Sequence, residues 1–309
     1  MSAESASSSQ DGHDDSGHPI RMLAAFLAVY LIWGSSYLAT RIGVRELPPF
    51  LFGGARFVCA GLLMLGYARW QGLRQLPTRG EWRDVGITAF FGFLIANGAG
   101  VWSLQYMPSN QSAMLNTTVP CWMVLLGAFG RRAHRPGALA LAGLLLGTAG
   151  AVLLIDPWRG GGPANIVPQL VLIVGCLGWA INSMYQRTMG SRLPVASLIG
   201  WQMLAGGVML SLLGLLCGEA SHWRWQWRSL WPLAYLVVAA SCVAHTAFAW
   251  LAPRTTPTLL GTYAYVNPLV ATLLGWLVLG EVLGNGQWLG MLLVFAGVLL
   301  IDRARRSGR

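Results

Sequence analysis

Ten apolar runs, each of about 20 residues, fill this chain almost end to end, and that succession limits the folds open to it. Inside lipid no water pairs with backbone N–H and C=O groups, so a spanning segment must be a helix or a strand of a closed barrel. Barrel strands take only ~9–11 residues, which these runs exceed. They lie at roughly 21–41, 49–69, 84–105, 110–130, 137–156, 166–187, 195–217, 230–252, 257–280 and 286–302. Of the 309 residues 55% are hydrophobic and 10% charged, against ~25% charged in a soluble domain. The chain therefore reads as an all-α membrane protein with ten transmembrane helices.

The formal charge of +10 does not point to nucleic acid. All 21 basic residues are arginines scattered between apolar runs, where such residues set topology. With the N-terminus inside, 15 arginines fall in inside segments and 5 outside, with Arg56 within a span. Both termini are thus expected in the cytoplasm. Residues 1–20, rich in Ser, Asp, Gly and His, read as a disordered cytoplasmic tail without signal-peptide character. Residues 303–309 read as a basic cytoplasmic tail. His13 and His18 are weak metal candidates. Cys59, Cys121, Cys176, Cys217 and Cys242 lie inside apolar runs without metal-type spacing and read as small buried side chains. Trp223, Trp225, Trp227 and Trp231 crowd one outside segment and read as an interfacial anchor.

The chain repeats itself. A shift of 146 residues carries Trp33 to Trp179, Arg41 to Arg187, Pro48 to Pro194 and Arg56 to Gln202. The same shift lays Val152-Leu153-Leu154-Ile155-Asp156 on Val298-Leu299-Leu300-Ile301-Asp302. A shift of 148 lays Pro120-x4-Leu125-Leu126-Gly127 on Pro268-x4-Leu273-Leu274-Gly275. Two halves of five spans follow, 21–156 and 166–302. Five is odd, so the second half enters the membrane from the opposite side, an inverted repeat.

One span in each half carries a proline near its middle, Pro120 and Pro268. Proline has no N–H for the carbonyl four residues earlier, here Asn116 and Ala264. Polar side chains gather beside both: Asn116, Thr117 and Thr118 in one half, Tyr263, Tyr265 and Asn267 in the other. Interrupted spans at corresponding places point to the binding site of a secondary transporter.

The opening Tyr30-Leu31-Ile32-Trp33-Gly34-Ser35-Ser36-Tyr37, then Pro48-Pro49-Phe50 and Ala55-Arg56-Phe57, resembles the first EamA repeat of the drug/metabolite transporter superfamily. Tyr263-Ala264-Tyr265-Val266-Asn267-Pro268, followed by Gly280-Glu281 and Gly290, looks like the end of the second. The resemblance runs from about residue 22 to 302 and is nearest the YedA-like exporters. It implies two inverted five-helix EamA repeats in a bacterial inner membrane, exporting small metabolites. It also implies that the third, fourth, eighth and ninth helices line the cavity. Two departures stand out. Arg131 and Arg132 follow the fourth span where Gly-Glu follows the ninth. The first span also lacks the glutamate on which related four-helix multidrug transporters rely for proton coupling.

Candidate substrate contacts are Asn97 and Trp102 on the third span, Asn116 and Thr117 on the fourth, and His245 on the eighth. On the ninth, Thr258, Thr262, Tyr265 and Thr272 form one polar stripe and Tyr263 and Asn267 another. Each could instead join helices, as Thr and Asn do in membranes. His245 is an intramembrane ionisable group, either a proton-coupling site or a hydrogen-bonded structural histidine. Arg56 lies about 10 Å below the outer boundary, at ~1.5 Å per residue. It is expected to bind a carboxylate, to snorkel, or to pair with Glu46 or Glu281. Trp33 and Trp179, with Ser36, Tyr37 and Asn182 after them, read mainly as packing elements. Gly143 to Gly150 reads as a close helix contact.

These features select a secondary transporter of small amphipathic solutes, such as amino acids or drugs, working by alternating access without cofactor or metal. A proton-coupled multidrug exporter is the alternative, and a non-transporting scaffold or receptor is a third class. An enzyme is disfavoured by the lack of G-x-S-x-G, H-E-x-x-H or clustered carboxylates. Solute and lipid are the expected partners, and a homodimer is one open assembly.

Overall fold

A computed structural model describes residues 17–128, 137–155, 163–251, 254–255 and 262–307. All regular structure among them is helical. The helices are α1 (Gly17–Glu46), α2 (Pro49–Trp70), α3 (Arg79–Ser103), α4a (Ser109–Asn116), α4b (Val119–Gly127), α5 (Ala138–Ile155), α6 (Pro163–Gln186), α7 (Val195–Leu216), α8 (Trp227–Leu251), α9 (Tyr263–Leu279) and α10 (Asn285–Ser307).

Eight of these are long and apolar enough to cross a membrane, against the ten expected. The fourth run is cut in two at Thr117 and Thr118, just before Pro120. Proline fits the first turn of a new helix, where no N–H is needed, and fails inside an old one. The ninth is an apolar helix of 17 residues, and Thr258 before it lies outside the described residues. Residues 17–20, expected in a disordered tail, begin α1, and α10 continues past 302 to Ser307. His13 and Arg131, Arg132 and Arg135 also fall outside the described residues.

Helix ends are set by local chemistry. Thr78 and Glu81 form a reciprocal capping box at the start of α3. Gly218 and Gly280 stop α7 and α9 at φ 75° and 65°, a left-handed turn that suits a residue without Cβ.

Every major contact joins the two halves. α1 packs on α8 and α9, and α6 packs on α3 and both parts of α4. At the periphery α2 lies along α7 and α5 along α10. Glycines bring these pairs together. A Cβ on Gly143 would sit 2.6 Å from the carbonyl oxygen of Gly297, and one on Gly297 2.5 Å from that of Gly143. Gly150 and Gly290 are related in the same way, at 2.6 and 2.8 Å. Small residues let backbones close in where lipid supplies no hydrophobic drive. Outward faces carry leucines such as Leu62, Leu212 and Leu292, each more than half exposed.

Candidate functional site

α3 and α8 each widen into a π-helical segment, Ala89–Asn97 and Leu236–Val243. Such segments are rare and collect at functional sites. Asn97 closes the first by donating its amide to the Gly92 carbonyl at 2.7 Å. His245 does the same for the second, its Nδ1 3.0 Å from the Ala240 carbonyl. A carbonyl only accepts, so Nδ1 carries the hydrogen of that bond.

The Ala240 carbonyl also accepts the indole N–H of Trp33 at 3.1 Å. Around this point α1, α8 and α9 build an aromatic cluster. The Trp33 ring lies 5.1 Å from His245, 5.2 Å from Phe248 and 5.4 Å from Tyr263, and Phe248 lies 5.6 Å from Tyr263. His245 and Tyr263, expected from the sequence as contacts, thus stand side by side. Trp33, expected mainly as packing, organises them. Aromatic rings and a carbonyl of this kind suit an apolar solute with a few hydrogen-bonding groups.

The α4 break is satisfied from within. Asn116, Thr117 and Thr118 bond the backbone carbonyls of Ser112, Met114 and Leu115 at 2.9, 2.6 and 2.7 Å. Cys176 of α6 faces the break, its thiol 3.7 Å from the Asn116 amide oxygen. Thr117 is buried, whereas Asn116 keeps partial exposure.

α9 runs unbroken through Pro268, unlike the break expected there. Pro268 is the sixth residue of the helix, so the bond to the Ala264 carbonyl is forfeited and the helix continues past it. With its nitrogen toward the acceptors, the Asn267 amide donates to the carbonyls of Tyr30 and Tyr263, at 3.2 Å each. It joins α9 to α1, as does the Tyr30–Thr262 hydroxyl pair. Tyr265 faces α10, its ring 5.8 Å from Phe295 and away from the aromatic cluster. Thr272 bonds back to the Pro268 carbonyl at 2.7 Å.

Trp102 lies apart from these residues. Its ring lies tilted against Tyr106 at 5.0 Å, and it lines an open cleft of about 440 Å³ with Arg45, Glu46, Phe50 and His222. Arg56 and Glu281 are not partners. Arg56 is buried, donating from Nε to the Ser241 hydroxyl at 3.0 Å with its guanidinium over the Phe57 ring. Glu281 accepts from the Ser109 and Asn110 amides at 2.9 and 3.2 Å and from the Ser109 hydroxyl at 2.7 Å. A carboxylate there caps the positive end of α4a. Glu219 caps α2 likewise, 2.8 Å from the Leu51 amide. The sequence did carry a signal for Glu219, since Gly218-Glu219 follows α7 as Gly280-Glu281 follows α9. Nothing in composition or spacing announced the π segments.

Among the described residues no three His, Cys, Asp or Glu side chains converge as a metal site would require.

Comparison with known proteins matches residues 20–156 and 167–302 separately to the EamA-like transporter family. The chain is 33% identical over 289 residues to the uncharacterized inner membrane transporter YedA of Escherichia coli (strain K12), covering 90% of each. It is 20% identical to the uncharacterized transporter YoaV of Bacillus subtilis (strain 168), covering 91% of this chain and 96% of the relative. A solved crystal structure at 24% identity superposes with a TM-score of 0.63, over 94% of this chain and 99% of the other, and shares the fold. Two repeat matches spanning nearly all of an apolar, helical chain leave one conclusion: this protein is a membrane transporter belonging to the EamA-like transporter family.

Proposed function

We propose that this protein exports small amphipathic metabolites, amino acids or related solutes among them, across a bacterial inner membrane. The two halves rock about the junction of α1, α8 and α9. In this reading the ten apolar runs all cross the bilayer as inverted five-span repeats, with both termini cytoplasmic. The relative YedA is described as an inner membrane transporter, which supports the location. The observation that carries the reading is the cluster of Trp33, His245, Phe248 and Tyr263 gathered where α8 leaves α-helical geometry. Irregular backbone at membrane depth is tolerated where protein or a water-filled cavity surrounds it. Asn97, Asn116, Thr117, Thr262, Tyr265 and Asn267 are proposed as polar contacts or cavity walls, and Trp102 as part of the outer vestibule.

Uptake of labelled neutral amino acids and cationic dyes by proteoliposomes tests this. Saturable flux that falls when Tyr263 becomes Ala supports it. Absence of flux for every solute in folded protein defeats it. A proton-coupled exporter is the second reading, favoured by the place of His245 within the cluster. It is excluded if His245→Ala leaves transport driven by a pH gradient unchanged.

A further inference from the structure

Arg56 is only 7% exposed, in the part of α2 that packs on α8. A guanidinium offers five N–H donors. One is spent on the Ser241 hydroxyl, and Phe57 lies beneath the plane at 4.6 Å. Among the described residues nothing accepts from Nη1 or Nη2, and no carboxylate lies within ion-pair distance. The ionisable groups that reach it electrostatically are Cys242 and His245, a thiol and an imidazole, neither anionic at neutral pH.

Nε of Arg41 and Nε2 of Gln202 are enclosed without partners, but the Nη atoms of Arg56 are not enclosed. The fork is therefore held at its base, and its Nη atoms keep a small exposed surface without a protein acceptor. A charge in the bilayer interior without a counter-ion is costly and marks function by default. Planar N–H pairs match a carboxylate bidentately. Ser241, which orients the fork, belongs to the same π segment whose Ala240 carbonyl is bonded to Trp33 and His245. The guanidinium and the aromatic cluster thus share one short stretch of α8.

We propose that Arg56 is an anion subsite, taking the carboxylate of a solute whose apolar part rests against the aromatic cluster. It deepens the transport reading above by naming the solute as a monocarboxylate. A free carboxylate supplies the missing counter-ion, and an amide cannot.

The test uses N-acetyl-L-phenylalanine and N-acetyl-L-phenylalaninamide, which differ only in carboxylate against amide. Binding of each to the full-length protein in detergent is measured by calorimetry, and flux of each in proteoliposomes. The wild type should bind the acid about tenfold more tightly or better, the size of one charge-assisted bidentate contact. Arg56→Gln should bring the acid-to-amide ratio close to one. Arg56→Lys, which keeps the charge but loses the fork, should lower the ratio at least about threefold. An equal affinity in the wild type, or a preference that survives in Arg56→Gln, overturns the proposal. If Arg56→Gln does not fold, the wild-type ratio and Arg56→Lys decide, and an undiminished ratio in Arg56→Lys counts against it. Binding preference without flux of either compound would retain the anion subsite and remove the transport reading. Flux of both without preference would do the reverse.

Discussion

Asn97 and His245 stand 148 residues apart and make the same hydrogen bond, each to the carbonyl five residues earlier, Gly92 and Ala240. The same shift relates the two prolines of the repeat. Each half thus carries a π segment closed by a polar side chain at an equivalent position. An amide and an imidazole do the same job because each brings an N–H to the carbonyl at similar reach.

That equivalence makes a substitution test possible. His245→Ala should lower thermal stability by about 1 kcal/mol, the worth of one hydrogen bond, since Trp33 still serves the Ala240 carbonyl. His245→Asn should recover at least half of the loss in a thermal melt in detergent. Equal instability of both variants would show that the imidazole is not acting as a closing donor.

The glycine contacts between α5 and α10 predict a steep steric response. Gly297→Ala places a Cβ against two backbone atoms of α5, the Gly143 oxygen at 2.5 Å and the Gly147 nitrogen at 2.7 Å. Overpacking of this kind costs about 1–3 kcal/mol. Gly100→Ala, where a Cβ would meet nothing within 4 Å, should be tolerated. Size-exclusion profiles of the two purified variants check this, and indistinguishable profiles and melting temperatures would count against the close contact.

Glu219 and Glu281 cap different helices, so their losses should add. Glu219→Ala and Glu281→Ala should each cost about 1 kcal/mol, as lost N-caps do. The double variant should cost the sum to within about 0.5 kcal/mol. A double variant no worse than either single would mean the two caps belong to one coupled network.

Asn267→Ala should loosen α1 from α9, because the Tyr30 and Tyr263 carbonyls lose their shared donor. The expected loss is about 1 kcal/mol, since both carbonyls keep their helical N–H partners and lose only the side-chain bond. If stability is unchanged while flux is lost, Asn267 acts on solute and not on packing.

The class of this protein is legible along the chain. Apolar runs of membrane length leave a helix as the way to satisfy the backbone, and the shifts of 146 and 148 residues disclose two repeats. The α4 break beside Pro120 was legible too, because a missing N–H is a property of one residue. Pro268 reads alike in sequence, yet α9 passes through it, so one missing N–H does not by itself decide whether a helix breaks. Partners were beyond the sequence. Arg56 had Glu46 and Glu281 as plausible counter-charges, but the fold sends Glu281 to the amides of α4a and leaves Arg56 with Ser241, 185 residues away. The stretch from Leu236 to Val243 carries no local mark of π geometry, and its contacts with α1 and α2 are made only in the folded bundle. Periodicity and covalent chemistry are local and can be read along the chain. Side-chain partnership depends on which helices meet, and that is settled only when all of them pack.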